Sequence, residues 1–299
     1  MHNNLPLMDQ AVFDAVEESE RHIERALNCD LLFFYGEIWP GISRQFRNFL
    51  EQMVEHHRES RTRKPATLGI CLTTPGGSVE ETENIVEVMR HHYSNILFLV
   101  PNMAMSAGTI FCMSGDRIYM DYSSSLGPID PQVPDREERY LVPALGYIDK
   151  IEELIHKSHR GELSPAEFNM LDRMDLAMIR RFEQARDLSV ALLEKWLAAY
   201  KFKDWKVHRT TEPGTRVTMK QKRQRAREIA LKLADNKHWH SHGRRIGMQT
   251  LRGEVGLEID DFGADPELHR HVRRYNDALS DWLNRRDGEA FFLYNRNVN

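Results

Sequence analysis

Two successive strand–turn–helix segments constrain the fold of this chain more than any other feature. The first runs from the apolar stretch 68–72 through Pro75–Gly77 into an amphipathic helical pattern that begins at Val79. The second runs from an apolar stretch at 96–100 through a turn into a helix that opens at Ser106. Strands that alternate with helices predict an α/β fold in which parallel strands are joined by right-handed crossovers.

The two turns have the composition of an acyl-transfer site. Gly76 and Gly77 lack a Cβ, so their backbone can approach a substrate closely and aim its N–H groups at a developing oxyanion. Ser106 and Ala107 open the second helix, where a serine hydroxyl is exposed beside the helix N-terminus. A serine at this position is most often only an N-cap. The presence of both turns in this order favours a nucleophile.

The ordered set of motifs resembles the Clp-protease/crotonase superfamily. The motifs are Pro-Gly-Gly-Ser-Val at 75–79, Met-Ser-Ala-Gly-Thr at 105–109 and Leu-Gly-Pro-Ile-Asp-Pro-Gln at 126–132. Within the superfamily the chain is most similar to the serine dehydrogenase proteinase family, relatives of signal peptide peptidase A, over roughly residues 30–260. The resemblance implies a Clp/crotonase-type stacked β-β-α superhelix with additional helices.

The same resemblance implies a serine endopeptidase that acts on peptides or unfolded proteins. Its oxyanion hole would be formed by Gly76, Gly77 and Ala107, and no metal or organic cofactor is implied. Family members assemble into rings or stacked trimers, so a homo-oligomer is expected. A crotonase-type acyl-CoA enzyme and an inactive, peptide-binding scaffold are the alternatives. Because the chain has no Gly-x-x-x-x-Gly-Lys phosphate loop, any ATP-driven unfoldase would be a separate protein.

The general base is the least constrained part of the predicted site. Clp-type relatives use a histidine after the nucleophile helix, but the stretch 124–129 contains none. Relatives of signal peptide peptidase use a lysine on a later helix, a position that Lys150 matches and for which Lys157 is the alternative. Both could equally be solvated helix lysines paired with acidic neighbours. His242 could assist the base, and Asp130 could either form a turn or hold the base.

Two further patterns invite other functions. The histidines of His238-Trp-His-Ser-His242 alternate, so in a strand they would share one face, yet no further ligand stands at the spacing of a known metal site. The stretch instead resembles a Trp-Thr-His stretch that precedes the closing isoleucine of the serine dehydrogenase proteinases. The basic run 220–227 lacks interleaved aromatic residues, which favours a solvated face or an oligomer contact over nucleic-acid binding.

Composition gives no bias toward charged partners and indicates a reducing compartment. The 299 residues carry a formal net charge of −4, which predicts neither a nucleic-acid nor a membrane partner. The cysteines are few, odd in number and widely spaced, as expected of free buried thiols: Cys29, Cys71 and Cys112. The polar, acidic beginning of the sequence and the absence of a long apolar stretch predict a cytoplasmic protein.

The periodicity divides the chain into three parts. Residues 1–29 are predicted to form an N-terminal helical extension, residues 30–260 the Clp/crotonase-like protease domain, and residues 261–299 a helical tail. Within the central part, residues 133–235 change to an almost wholly helical pattern, which predicts an insertion or arm.

Overall fold

The computed structural model describes residues 6–130, 132–134, 141–208, 213–286 and 291–298. The helices are α1 Leu7–Leu27, α2 Ile42–Glu59, α3 Val79–His92, α4 Ala107–Met113, α5 Ala144–His159, α6 Pro165–Asp172, α7 Leu176–Trp196, α8 Met219–Leu233, α9 Asn236–Trp239, α10 Met248–Thr250 and α11 Pro266–Asn284. Turns of π-helix extend α7 through Leu197–Lys201 and α10 through Leu251–Val255.

The strands form one large sheet, one small sheet and one isolated pair. They are β1 Asp30–Gly36, β2 Thr67–Thr73, β3 Asn95–Leu99, β4 Met103–Ala104, β5 Arg117–Met120, β6 Ser125–Leu126, β7 Gln132–Pro134, β8 Leu141–Pro143, β9 Ile246–Gly247, β10 Asp260–Asp261 and β11 Phe291–Tyr294.

The large sheet has the strand order β10-β5-β3-β2-β1-β11. Every neighbouring pair from β10 to β1 is parallel, and β11 adds to β1 in the antiparallel direction. The central strands β2 and β3 are buried along almost their whole length, which explains why they are continuous apolar runs rather than alternating patterns. The predicted mixed α/β fold with a parallel sheet is confirmed.

Helices cover both faces of this sheet. One face packs against α2, α3 and α4 and forms the larger hydrophobic core, to which α7, α8 and the π-helical extensions also contribute. The other face packs against α1 and α11. The segments predicted as an N-terminal extension and a C-terminal tail therefore form one helical layer on the same face of the sheet.

The two predicted apolar stretches and the helix starts predicted at Val79 and Ser106 agree with the structure within one residue, as expected where the pattern is strong. Ser164 caps α6 in a capping box with Glu167, and Pro165 occupies the first turn. The strand β11 was not predicted from the sequence. The charges of residues 133–139 predict a loop; residues 132–134 instead form β7, and residues 135–140 lie outside the described residues.

Two further expectations can be compared with the structure. The three cysteines are buried free thiols, as predicted. Across the part of the chain that the structure describes, no helix combines the length and apolar character needed to cross a membrane.

Candidate active site

The first half of the site is the turn between β2 and α3. Gly76 and Gly77 have φ angles of 108° and 138°, in a region that side-chain-bearing residues rarely adopt. The backbone of Ile38 holds this turn on both sides of Gly77, because the Ile38 N–H donates to the Gly76 carbonyl at 2.8 Å and the Ser78 N–H donates to the Ile38 carbonyl at 2.7 Å. A Cβ added to Gly77 would overlap that Ile38 carbonyl. Only glycine therefore fits at position 77.

The turn lies directly against Ser106. A Cβ placed on Gly76 would lie 2.9 Å from the Ser106 Cβ and 3.2 Å from the Ala107 nitrogen. Two backbone hydrogen bonds of 3.0 Å join the neighbouring chains, from the Thr74 N–H to the Met103 carbonyl and from the Met105 N–H to the Thr74 carbonyl. The structure thus brings together the two halves that the sequence predicts as an acyl-transfer site.

Two of the three predicted oxyanion donors are available. The Gly76 N–H already donates to the Thr74 Oγ1 at 3.0 Å, so Gly76 contributes a close backbone approach and not a donor. Among the residues that the structure describes, no acceptor lies within hydrogen-bonding distance of the N–H of Gly77 or of Ala107. Ala107 is the first residue of α4, where an N–H has no partner within the helix. The N–H groups of Gly77 and Ala107 can therefore donate hydrogen bonds to an oxyanion.

Ser106 adopts the backbone geometry of a strained turn and not of a helix cap. Its φ and ψ are 51° and −115°, and its side chain makes no capping hydrogen bond to α4. The alternative that Ser106 is an ordinary N-cap is therefore wrong. A non-glycine residue in such a conformation costs about 1–3 kcal/mol, and residues of this kind cluster at functional sites. Serine nucleophiles on a sharp strand-to-helix turn share this feature.

Thr109 anchors the nucleophile helix to the next segment of the chain. Its Oγ1 lies 2.9 Å from the carbonyl oxygens of both Ala104 and Gly127, and it accepts a hydrogen bond of 2.9 Å from the Gly127 N–H. Gly127 is itself packed against Met105, because an added Cβ would lie 2.8 Å from the Met105 Cε. The sequence analysis did not identify Thr109. A threonine three residues after a candidate serine nucleophile was the available signal.

Asp130 is buried with half of its carboxylate unsatisfied. Its side chain is 2% exposed; Oδ1 accepts a hydrogen bond of 3.1 Å from the Leu145 N–H near the start of α5, whereas Oδ2 has no hydrogen-bond partner among the described residues. Burial raises the pKa of Asp130 to about 6. Asp130 therefore caps α5 with one oxygen and presents the other to a neighbouring group.

That neighbouring group is His242. The His242 Nδ1 lies 3.9 Å from the Asp130 Oδ2, and the histidine side chain is 28% exposed. Burial lowers the pKa of His242, so the imidazole is neutral near pH 7. The structure thus joins the two residues that the sequence analysis named as possible accessories.

The two candidate lysines lie on the exposed side of α5. Lys150 is 51% exposed and its Nζ pairs with the Glu153 carboxylate at 2.9 Å. Lys157 pairs with Glu167 at 2.7 Å and with Glu153 at 3.3 Å, and these hydrogen bonds raise its pKa. A general base needs a lowered lysine pKa, so the shift of Lys157 has the wrong sign for that role.

The other patterns found in the sequence have internal structural roles. The stretch from His238 is not a strand, since α9 ends at Trp239 and His240 adopts a left-handed conformation. His238 pairs with Glu254 at 2.5 Å. Within the basic run, Lys222 is buried and donates to the Lys203 carbonyl at 2.9 Å.

A strained serine thus lies beside two backbone N–H groups that have no hydrogen-bond partner among the described residues, an arrangement that could stabilise an oxyanion. Residues 49–153 of the 299-residue chain match the family model described as "ClpP-like SDH-type serine proteinase". The matched segment contains Gly77, Ser106 and Asp130, and the match confirms the predicted resemblance to the serine dehydrogenase proteinase family.

Individual relatives match shorter parts of the chain. The uncharacterized protein MJ0137 of Methanocaldococcus jannaschii is 34% identical over 95 residues, which are 32% of this chain and 32% of that protein. The uncharacterized protein MJ1495 of the same organism is 32% identical over 66 residues, 22% of this chain and 23% of that protein. The chain thus spans a third or less of the length of these curated relatives.

Two solved structures are similar at low identity. A mutant of the 1510-N membrane-bound stomatin-specific protease is 16% identical with a TM-score of 0.30, and the match covers 56% of this chain and 74% of that one. Another mutant of the same protease, in complex with a substrate peptide, is 19% identical with a TM-score of 0.28. That match covers 54% of this chain and 64% of that one.

Proposed function

We propose that this protein is a serine endopeptidase in which Ser106 is the nucleophile. The observation that carries the proposal is the pair of unpartnered N–H groups of Gly77 and Ala107 beside a serine that is strained and makes no capping bond. An ordinary helix-start serine would satisfy the helix N-terminus with its side chain. Backbone donors that are left unpaired and preorganised are the main requirement for stabilising an oxyanion.

The proposed reaction has two stages. The Ser106 Oγ attacks the peptide carbonyl carbon and transfers its proton to the base, while the carbonyl oxygen takes the negative charge and accepts hydrogen bonds from Gly77 and Ala107. The base then protonates the departing amine, which leaves an ester on Ser106. In the second stage the base deprotonates a water, which attacks the ester carbonyl; the acid product leaves and Ser106 recovers its proton.

For the base we propose His242, oriented by Asp130, in preference to Lys150. His242 has the lowered pKa that keeps an imidazole neutral, and it lies 3.9 Å from a carboxylate oxygen without a hydrogen-bond partner. That oxygen could hold the protonated ring as the triad carboxylate does in other serine hydrolases. Lys150 instead pairs with Glu153 at the surface and would have to leave that partner and lose solvent before acting.

The proposal is tested by labelling with a fluorophosphonate probe and by hydrolysis of fluorogenic peptides. Wild-type protein should be labelled once, and Ser106→Ala should be folded, unlabelled and inactive, because only an activated serine reacts with such a probe. Ser114→Ala is the matched control, since Ser114 is a buried serine at the other end of α4 whose hydroxyl donates to the Phe111 carbonyl. Equal labelling of the Ser106→Ala protein would refute the nucleophile. An unlabelled wild type with acyl-CoA turnover would favour the crotonase-type alternative.

We also propose that the enzyme is cytoplasmic and acts as a homo-oligomer on peptides or unfolded proteins. The three buried free thiols support a reducing compartment. Exposed apolar side chains on the α5–α7 segment, among them Ile155, Phe168 and Leu176, support an oligomer contact. Light scattering coupled to size-exclusion chromatography tests the assembly, and a monomer at micromolar concentration would contradict it.

A further inference from the structure

The helix pair on the far face of the sheet holds a group of side chains that the proposed peptidase reaction does not use. Helices α1 and α11 run antiparallel, and their contacts follow in opposite order along the two helices: Asp9 with Trp282, Glu18 with Arg274, and His22 with His271. At the last of these contacts two imidazole rings stack with their centroids 4.0 Å apart. Glu267 lies one helical turn before His271 on the same face of α11.

The three side chains offer converging ligand atoms. One ligand atom each from His22, Glu267 and His271 lies within 4.8 Å of the other two. Two imidazole nitrogens and one carboxylate oxygen form a donor set that suits Zn²⁺ and related divalent transition metals. Because α1 contributes one ligand and α11 two, the set exists only where the two helices pack together.

A hydrogen bond outside the cluster orients the buried histidine. The Ser19 hydroxyl donates to the Ala15 carbonyl at 3.0 Å, so its oxygen remains available as an acceptor. His271 Nδ1 lies 3.3 Å from that oxygen, and we assign the ring proton to Nδ1 on this geometry. The assignment leaves His271 Nε2 as an acceptor. Metal-binding histidines are commonly held in this way, with the second ring nitrogen donating to a neighbouring group.

A cation already bridges two of the three ligands. The Arg270 Nη2 donates to the Glu267 Oε2 at 2.5 Å and lies 3.3 Å from the His271 Nε2. The Arg270 side chain is 63% exposed, so it can swing into solvent at little cost when another cation takes its place. The Arg270 guanidinium therefore occupies the position where a metal cation would bind, and it would compete with that cation for Glu267 and His271.

We propose that His22, Glu267 and His271 bind one Zn²⁺ ion, with water completing the coordination, and that the ion clamps α1 to α11. The site rests on the convergence of the three donor atoms, the oriented His271 ring and the guanidinium that occupies the cation position. It requires nothing of Ser106, so its test does not depend on peptidase activity.

The test is a Zn²⁺ titration of the full chain, stripped with EDTA, in competition with a chromophoric chelator. We expect one saturable Zn²⁺ per chain, and His22→Ala and Glu267→Gln should weaken binding by at least about tenfold, the loss that even outer-shell changes commonly cause. Glu267→Gln is an exposed, isosteric change, so a loss of binding cannot be attributed to unfolding. His91→Ala is the matched control, because His91 is an exposed helix histidine that also contacts a second imidazole, His92.

Arg270→Ala separates this site from adventitious histidine binding. Removing the competing guanidinium should raise the Zn²⁺ affinity several-fold, and Zn²⁺ should raise the melting temperature of wild type but not of Glu267→Gln. Wild-type affinity in both His22→Ala and Glu267→Gln, or a stoichiometry that falls equally in His91→Ala, would overturn the proposal.

Discussion

Replacement of Gly77 by alanine tests the oxyanion donors most directly. At a φ of 138° an added Cβ is strained by about 1–3 kcal/mol, and it also overlaps the Ile38 carbonyl, which is backbone and cannot rotate away. The turn must therefore shift, and the Gly77 N–H shifts with it. Loss of one oxyanion donor lowers kcat by about 10²–10³, equivalent to about 2.7–4 kcal/mol of transition-state stabilisation.

The effect on catalysis can be separated from the effect on folding. Gly214→Ala is the matched control, because Gly214 also has a positive φ of 86° but an added Cβ there meets no atom within 4 Å. We expect both variants to lose stability in urea unfolding, whereas only Gly77→Ala loses kcat and its rate of fluorophosphonate labelling. Because the donor acts mainly on the transition state, KM should change little. Normal kcat in a folded Gly77→Ala protein would show that another group receives the oxyanion.

Three further predictions concern the general base, the nucleophile helix α4 and the buried acid Glu20. His242→Ala should abolish peptidase activity, while Lys150→Ala should retain most of it. Because burial lowers the pKa of His242, kcat/KM should begin to decline only at a pH below the ordinary histidine pKa of 6.5. An active His242→Ala protein and an inactive Lys150→Ala protein would restore Lys150 as the base. Thr109→Val should cost about 1–3 kcal/mol in urea unfolding and lower kcat, because it removes the hydroxyl that bonds the buried backbone of Ala104 and Gly127, whereas Thr109→Ser should preserve both. Burial raises the pKa of Glu20 to about 8, above its unfolded value of 4.5, so its contribution to stability falls as the pH rises through that window. Glu20→Gln should therefore weaken the pH dependence of the free energy of unfolding between pH 4.5 and about 8. An unchanged pH dependence would contradict the raised pKa of Glu20.

The sequence predicted the elements that local pattern determines. The apolar stretches 68–72 and 96–100 fall on β2 and β3 to within one residue, and α3 begins at Val79 as its pattern predicts. The juxtaposition of Gly76 with Ser106 was also predictable, because both turns follow neighbouring parallel strands and so meet at one edge of the sheet. Strand β11 was missed because its short aromatic run carries no periodic signal distinct from a loop.

The base could not be predicted because its position depends on tertiary packing. Whether Lys150 is buried or solvated depends on the face of α5 that turns inward, and Ile148 and Ile151 take that face. His242 reaches Asp130 only because α9 ends at a left-handed His240 and the chain turns back. Neither fact follows from residue spacing. The strained backbone of Ser106 is likewise a tertiary effect, since local preference alone favours an ordinary capped helix start.

The two backbone hydrogen bonds of Ile38 make the geometry of the candidate active site depend on the length of the connection between β1 and Ile38. Both hydrogen bonds that hold the Gly76–Gly77 turn come from the main chain of Ile38, so the identity of that side chain has little influence on them. Adding or removing one residue between the end of β1 and Ile38 would instead move both bonds out of register with the turn. Across related proteins, this connection should therefore tolerate substitutions freely while insertions and deletions are excluded from it.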